Sequence, residues 1–351
     1  MVSFTDPATF LKQSANIPVV DVRAPVEYLQ GHIPGAVNIP LFDDRERALV
    51  GTAYQQSGHE SAILLGLDIA IPKTSLYIDL LRQSTNTGKI LLHCWRGGMR
   101  SASMARVFDQ AGWEVNVLSG GYKSYRQFIR HQFSKEARIV VLGGFTGIGK
   151  TKILESLAKQ GEQVIDLEKQ ACHKGSVFGS FGQPPQPTNE QFENDLYSIW
   201  SVLDFTQPIW LEDESRMIGK VTLPDPVYNH MLNGVLIRLE VDLSFRVDCL
   251  IREYAHFDKV MLADAITKLK QRLGGARTSM AIKALENDRF AEVVEIILEY
   301  YDQAYQFSIA RRKNKLIYPV NISGMETETA ASYLLGYLKN QIGYASDLPR
   351  L

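Results

Sequence analysis

The chain has 351 residues, 45% of them apolar and 22% charged, with Lys plus Arg at 38 against Asp plus Glu at 39. That size predicts two or three domains, and the composition excludes a disordered chain, a collagen-like repeat and a disulfide scaffold. A net charge of -1 excludes bulk nucleic-acid binding by a uniformly basic surface, and local basic faces remain open. Cys94, Cys172 and Cys249 are too few and too scattered for a disulfide framework or a four-thiolate zinc site, and they suit a reducing compartment. The first ten residues carry Asp6 and Pro7 and no basic-then-apolar leader pattern, and no apolar run approaches the ~20 residues of a membrane span. A cytoplasmic, soluble protein with no membrane partner is expected.

In chain order, residues 17–22 read as a buried strand, Lys89–His93 as a second and Glu114–Leu118 as a third. Between the last two, residues 101–110 place Met104, Val107 and Phe108 at helical spacing and stop at Gly112. Strand, helix, strand predicts a parallel α/β sheet. A polar run over 126–138 then leads to a strand at 139–142, and the domain boundary is predicted near Ser134, giving domains 1–133 and 134–351. Further strands are predicted at 164–167, 209–211 and 235–239. Thr188 and Gln191 form a capping-box pattern before Phe192, Leu196, Ile199 and Leu203, and 259–308 is mostly helical with a break at Gly274 and Gly275. Residues 1–130 carry a net +2 and the remainder -3, so charge does not separate the two halves by function.

Two motifs carry chemistry. The first is Cys94-Trp95-Arg96-Gly97-Gly98-Met99-Arg100-Ser101, between a strand and a helix. Backbone N–H groups of such a loop curl around the sulfur, and the helix dipole with Arg96 and Arg100 adds positive charge. These influences favour a nucleophilic thiolate, and the cradle of Arg96, Gly97, Gly98, Arg100 and Ser101 also suits an oxyanion. Cys249, among Val247, Leu250 and Ile251, reads as packing, whereas Cys172 lies in a polar segment beside His173 and Lys174 and is a second, lesser candidate for chemistry. The second motif is Gly144-Phe145-Thr146-Gly147-Ile148-Gly149-Lys150-Thr151, a P-loop between a strand and a helix. Its Gly144, Thr146, Gly147 and Gly149 backbone would hold a di- or triphosphate, with Lys150 on the outer phosphate and Thr151 on Mg²⁺. Asp166, Glu212 and Asp213 are candidate magnesium or substrate groups at the same sheet edge. Lys268, Lys270, Arg272 and Arg277 around the Gly-Gly break, Arg311, Arg312, Lys313 and Lys315, and Arg126 with Arg130, are the candidate nucleic-acid contacts. Tyr300, Tyr301 and Tyr305 read as core residues.

Asp21-Val22-Arg23, Glu27, Gly31-His32-Ile33-Pro34-Gly35-Ala36 and the late Gly120-Gly121 turn resemble a rhodanese domain, whose loop cysteine carries sulfur. Arg100 lies six positions after Cys94, one more than in the common sulfurtransferase loop, and this spacing also matches rhodanese-fold phosphatases. On that motif alone both chemistries stand. Over nearly its whole length the chain resembles the bacterial tRNA 2-selenouridine synthase family. The carrying residues include Val50-Gly51-Thr52-Ala53-Tyr54, Asp166-Leu167-Glu168, Gly175-Ser176-Val177-Phe178-Gly179, Leu211-Glu212-Asp213-Glu214-Ser215-Arg216-Met217-Ile218-Gly219 and Glu299-Tyr300-Tyr301-Asp302.

The resemblance implies a rhodanese-like parallel-sheet domain followed by a P-loop α/β domain with a helical C-terminal part. It also implies a transferase that turns wobble 2-thiouridine of tRNA into 2-selenouridine through S-geranyl-2-thiouridine. Geranyl diphosphate and selenophosphate are its implied substrates, Cys94 its implied selenium carrier as a selenylsulfide, and a selenophosphate-producing enzyme an implied transient partner. No tightly bound cofactor is expected, and Mg²⁺ would accompany the diphosphate. The alternative is a P-loop kinase fused to a rhodanese-fold phosphatase or sulfurtransferase.

Overall fold

The structure is a computed structural model that describes residues 2–310, Arg312 and residues 316–342. The chain divides into two units, Met1–Gln132 with Glu193–Ser198, and Phe133–Phe192 with Ile199–Leu351.

Unit 1 runs β1 (Val2–Thr5), α1 (Pro7–Ser14), β2 (Val19–Asp21), α2 (Pro25–Gln30), β3 (Val37–Asn38), α3 (Asp44–Ala70), α4 (Thr74–Ser84), β4 (Lys89–His93), α5 (Met99–Gln110), β5 (Glu114–Leu118) and α6 (Gly121–Gln132). Its sheet is parallel in the order β1-β5-β4-β2-β3. Strands β2, β4 and β5 carry Val20, Ile90, Leu92, Val115 and Val117 into a core with Met104 and Phe108 of α5 and Tyr77 and Leu81 of α4. The rise of β4 puts Cys94 just past the strand's carboxyl end, where ligands gather in open α/β sheets. Of the polar run that the sequence suggested at 126–138, residues 126–132 are instead the last turns of α6, which buries Tyr122, Tyr125 and Ile129, and Arg138 opens the next strand.

Helix α3 breaks at Gly58, which adopts φ 86°. By length and composition alone, the helical stretch Asp44–Ser84 contains one window that could cross a membrane, and no uninterrupted apolar run of about 20 residues lies within it. Leu64, Leu67, Ile71 and Leu76 are exposed along it.

Unit 2 begins with β6 (Arg138–Gly144), α7 (Lys150–Lys159), β7 (Gln163–Ile165) and α8 (Leu167–Ala171). It continues with α9 (Asn189–Trp200, whose middle belongs to unit 1), β8 (Pro208–Glu212), β9 (Met217–Ile218), β10 (Val221–Thr222), α10 (Asp225–Asn233) and β11 (Val235–Glu240). Five helices follow, α11 (Leu243–Tyr254), α12 (Lys259–Lys268), α13 (Lys270–Leu273), α14 (Gly275–Glu286) and α15 (Phe290–Ala310), then β12 (Ile317–Asn321), α16 (Thr327–Tyr337) and a π-helical turn, Leu338–Ile342, among the described residues. The sheet is parallel in the order β12-β11-β6-β8-β7. The chain leaves β6 toward one edge and leaves β8 toward the other, so the topological switch lies between these neighbours. Both the P-loop and the Glu212–Glu214 segment start there. Val140, Leu142, Trp210, Ile237 and Leu239 form the sheet's share of one core, and α11 to α15 enclose a second around Ile266, Ala281, Ala284 and Ile297.

In unit 1, Asp21 and Arg23 are both fully buried and form a bidentate pair, with Arg23 Nη2 also donating to the Gly31 carbonyl (2.6 Å). The Arg23 guanidinium lies 3.8 Å from the centre of the Tyr122 ring. Burial opposes the Asp21 charge, and His93 and Arg23 outweigh it, holding the carboxyl below its ordinary value of 3.8. Replacing Asp21 with Ala leaves a buried guanidinium unpaired and is expected to destabilise unit 1 by about 3–5 kcal/mol in denaturant unfolding. Because the folded pKa is depressed, the stabilisation from Asp21 is present above 3.8 and is lost as pH falls below it, so the wild type and the Asp21→Ala protein should converge in acid.

Candidate functional site

In unit 1 the loop after β4 is held by the loop after β5. The Tyr122 N–H donates to the Cys94 carbonyl (2.8 Å) and the Lys123 N–H to the Trp95 carbonyl (2.9 Å). Gly121, at φ 63°, lies so close that a β-carbon there would meet Gly97 N at 2.4 Å and Cys94 O at 2.5 Å. Cys94 is 3% exposed, and its Sγ lies 3.3 Å from Ser101 Oγ, which itself donates to the Gly98 carbonyl (2.9 Å). Cys94 therefore sits under the amino end of α5, with Gly97, Gly98 and Ser101 around it as the sequence predicted.

The two arginines differ from that expectation. Arg100 Nη1 donates to Glu27 Oε2 at 2.7 Å, so its charge is shared with a carboxylate and is not given wholly to the cradle. Burial raises the Glu27 pKa, yet the Arg100 hydrogen bond and charge win and depress it. Arg96 is exposed.

In unit 2, Gly149 takes φ 86° at the amino end of α7, the turn that lets Lys150 and Thr151 begin that helix facing the phosphate loop. Three contacts fix the loop. The Gly144 N–H donates to the Tyr305 hydroxyl (2.7 Å), and that hydroxyl donates to Asp213 Oδ2 (3.0 Å). The buried Arg246 donates from Nε to the Thr146 carbonyl (2.9 Å) and from its two terminal nitrogens to Asp302. Its guanidinium also lies 4.9 Å from the centre of the Phe145 ring. Tyr305 is thus part of the phosphate site and not a core residue. Burial and the neighbouring Asp213 push its hydroxyl pKa far up, which keeps it a neutral donor.

The acidic groups sort differently from the expectation. Glu212 is fully buried, accepts from the Leu167 N–H (2.9 Å) and does not line the cavity beside the loop. Desolvation pushes its pKa well up, so it is a neutral structural group and its assignment to magnesium is corrected. Asp166 does line that cavity, but it caps α8 by accepting from the Lys169 N–H (2.7 Å). Asp213 is engaged by Tyr305 and by Arg312, 3.5 Å away. The groups beside Lys150 are Glu168 and Glu214, the second of them the last carboxylate of the Glu212–Glu214 run. Desolvation, then the Glu168 charge, pushes Glu214 up to about 8, and it donates its proton to Glu168, whose own pKa is raised by burial against the pull of Lys150. Thr151 Oγ1 lies 3.4 Å from Glu168 Oε2. Thr151 with Glu168 fits an ion that takes its remaining ligands from a diphosphate and water.

Lys150, Thr151, Glu168, Glu214 and Tyr305 border one cavity of about 1270 Å³. Its polar end is the P-loop with Asp166, Glu168, Asp213, Glu214 and Lys174. The same lining takes in the nearly buried Leu262, Ile266, Leu285, Val293 and Ile297 of the helical core, along with polar groups such as Gln183, Tyr228, Arg252 and Glu253.

Among the basic candidates, Lys268, Lys270, Arg272 and Arg277 are exposed along α12 to α14, with Arg277 paired to Glu299 at 2.7 Å. Arg312 is a correction: it is buried, donates to the Met231 carbonyl (2.7 Å) and faces Asp213, so it is spent inside the unit. Arg311, Lys313 and Lys315 lie outside the described residues. Arg126 is corrected too, since it is buried and donates to Asn194 Oδ1 (2.5 Å) and to Glu193, which also holds Arg130 at 2.9 Å. Cys249 borders the cavity, and Cys172 ends α8 at φ 49°.

Comparison with known proteins bears on both units. Residues 137–333 match the family model of the tRNA 2-selenouridine synthase AAA domain, and residues 6–128 match that of the rhodanese-like domain. The tRNA 2-selenouridine synthase of Nitrosomonas europaea is 34% identical over 85% of this chain and 91% of its own. The chain belongs to the tRNA 2-selenouridine synthase family. The same-named protein of Hydrogenovibrio crunogenus is also 34% identical to this family member, over 89% of this chain and 94% of its own. A solved structure, the N-terminal domain of a candidate ATP/GTP-binding protein from Clostridium difficile, is 38% identical over 36% of this chain and 98% of its own, with a TM-score of 0.34.

The Glu168–Glu214 pair has a consequence for this family member's stability. Glu214 binds its proton with a pKa of about 8 in the folded state against 4.5 ordinarily, so the stabilisation is complete below 4.5 and is lost as pH rises through about 8. Thermal unfolding of the metal-free protein should therefore fall over that window, and Glu214→Gln should flatten the fall. Parallel profiles for the two proteins would remove the shared proton.

Proposed function

We propose that this chain replaces the sulfur of wobble 2-thiouridine in tRNA with selenium, in two steps assigned to its two units. In the first, the thione sulfur attacks C1 of geranyl diphosphate. A carbon–sulfur bond forms, the C1–oxygen bond breaks with its electron pair leaving on diphosphate, and the base loses its N3 proton. In the second, selenium from selenophosphate attacks C2 of the alkylated base, the geranyl thiolate leaves and takes up a proton, and phosphorus departs as phosphate by hydrolysis. Alkylation matters because a thione sulfur is a poor leaving group and an alkyl thiolate a better one.

The observation that carries this reading is the polarity of the unit 2 cavity. A phosphate loop opens onto a chamber whose lining includes hydrocarbon side chains of α12, α14 and α15. A nucleoside triphosphate would bring a base whose polar edge needs hydrogen-bonding partners, which the hydrocarbon part of the lining does not offer. An isoprenoid tail has no such need and is stabilised by leaving water. Lys150 and the loop amides stabilise the departing diphosphate, and a magnesium ion held by Thr151 and Glu168 would add charge there. In unit 1, Cys94 and its oxyanion cradle serve the selenium step.

Lys150→Ala is expected to abolish S-geranylation of thiolated tRNA, read by nucleoside mass spectrometry, because diphosphate departure loses its main cation. Cys94→Ala should retain geranylation and lose selenation, while Cys249→Ala keeps both. Normal geranylation by the Lys150→Ala protein would move the donor to another site.

Binding of tRNA rests on local cations, since the whole chain carries a net charge of only -1. Lys268, Lys270 and Arg277 replaced together by Gln should weaken tRNA and flatten the dependence of log affinity on log salt by ~0.7–0.9 per lost contact. Preference for thiolated over unmodified tRNA should persist, because phosphate contacts position while base contacts specify. An unchanged slope would take the tRNA off this face.

A further inference from the structure

At the carboxyl edge of the unit 1 sheet, the start of α2 lies beside the cysteine loop. Strands β2 and β4 are neighbours, and the Val22 N–H donates to the carbonyl of His93, the residue before Cys94 (3.0 Å). Glu27, the third residue of α2, is where three donors meet. Its Oε2 accepts from the Ala24 N–H (3.2 Å) and from Arg100 Nη1 (2.7 Å), and Arg47 Nε lies 3.1 Å from the same oxygen. Arg100 Nη2 reaches Oε1 at 3.4 Å. Both terminal nitrogens of the loop's own arginine thus face one carboxylate, whose side chain is only 12% exposed.

The charges in this cluster can be counted. Arg47, Arg100 and Glu27 together carry +1, where the two arginines alone would carry +2. Burial works against the Glu27 charge, and the Arg100 hydrogen bond and charge outweigh it, so the carboxylate is ionised at neutral pH. Coulomb attraction scales with the charge of the incoming group, so neutralising one cation costs a dianion twice what it costs a monoanion.

We infer that Glu27 sets the anion preference of the cysteine loop: by neutralising Arg100 it disfavours dianionic phosphate and favours a singly charged chalcogen group on Cys94. A loop of phosphatase length is thereby kept from holding phosphate. The functional sense of this rests on the proposed selenium step, in which phosphate has to leave the loop while selenium stays. Glu27 acts through Arg100, as a positioning residue.

The test is hydrogen exchange of the full-length protein, read by mass over residues 95–101, as inorganic phosphate is titrated at mildly alkaline pH. Exchange over residues 144–151 reports the same anion at the P-loop and should keep its wild-type midpoint in every variant. Glu27→Gln should lower the phosphate midpoint of the cysteine loop by about tenfold or more, the size of one freed charge-assisted bond. Nitrate, with one charge, should gain only about threefold, the square root of that factor. Glu27→Asp keeps the charge and should keep the wild-type midpoint. Glu27→Gln with Arg100→Gln restores the +1 of the cluster and should return the midpoint to wild type, which a merely structural role for Glu27 would not do. A Glu27→Gln midpoint that stays put or rises would overturn the inference, as would a gain no larger for phosphate than for nitrate. If Glu27→Gln alone does not fold, seen as fast exchange throughout β4 and β5, the double variant decides: a midpoint well above the wild type's would make Arg100 a phosphate ligand and sink the assignment. If the midpoints move as stated and the wild type fails to selenate thiolated tRNA, the selenium reading of unit 1 falls and the charge assignment stands.

Discussion

The Tyr305 hydroxyl accepts from the Gly144 N–H and donates to Asp213, and the geometry of the phosphate site is referenced to that pair of bonds. Gly143 must lack a side chain for this to happen, because a β-carbon would come within 2.4 Å of the Tyr305 oxygen. Asp213 in turn holds the buried Arg312, and Arg246 fixes the loop from its other side through Thr146. A P-loop by itself is a flexible run of glycines. Here it is clamped by groups from α11 and α15, far along the chain, so the anion cradle is organised before any phosphate arrives.

Unit 1 solves the same problem with backbone alone. Gly97 and Gly121 each take positive φ, and their backbones approach so closely that no side chain fits at either position. The β5–α6 turn thereby holds the cysteine loop open toward the amino end of α5. The arginines that seem in sequence to supply the charge are partly diverted, Arg100 to Glu27. What remains around the sulfur is chiefly peptide dipoles and the Ser101 hydroxyl.

The phosphate loop and the cysteine loop were legible because each is short, local and bracketed by a strand and a helix of clear periodicity. The central strands were legible for the same reason. The edge strands β1, β3 and β12 were not. They have four, two and five residues, β12 carries Pro319, and the partners of β1 and β12 lie far away in sequence. Asp166 was read as a strand-end ligand when it is a helix cap, since an Asp after an apolar run satisfies both patterns. Arg312 shows the opposite limit. Four basic residues within 311–315 look solvated in sequence, and only the tertiary position of Met231 and Asp213 reveals that one of them is buried. The importance of Glu168 over Glu212 was beyond pattern as well, because it depends on which of two neighbouring carboxylates faces Lys150.

Val293, Ile297, Tyr301 and Tyr305 follow one another at intervals of four along α15. The first two belong to the helical core, Tyr301 accepts from the Val177 N–H (3.1 Å), and Tyr305 holds the phosphate loop. One helix therefore sets the phase between the helical core and the anionic end of the chamber. A single residue inserted or deleted between Val293 and Tyr305 would turn one end by ~100° against the other. Such a change would leave every side chain present and the helix intact, and still uncouple core from loop. The spacing within α15 is thus a ruler between the two ends of this unit.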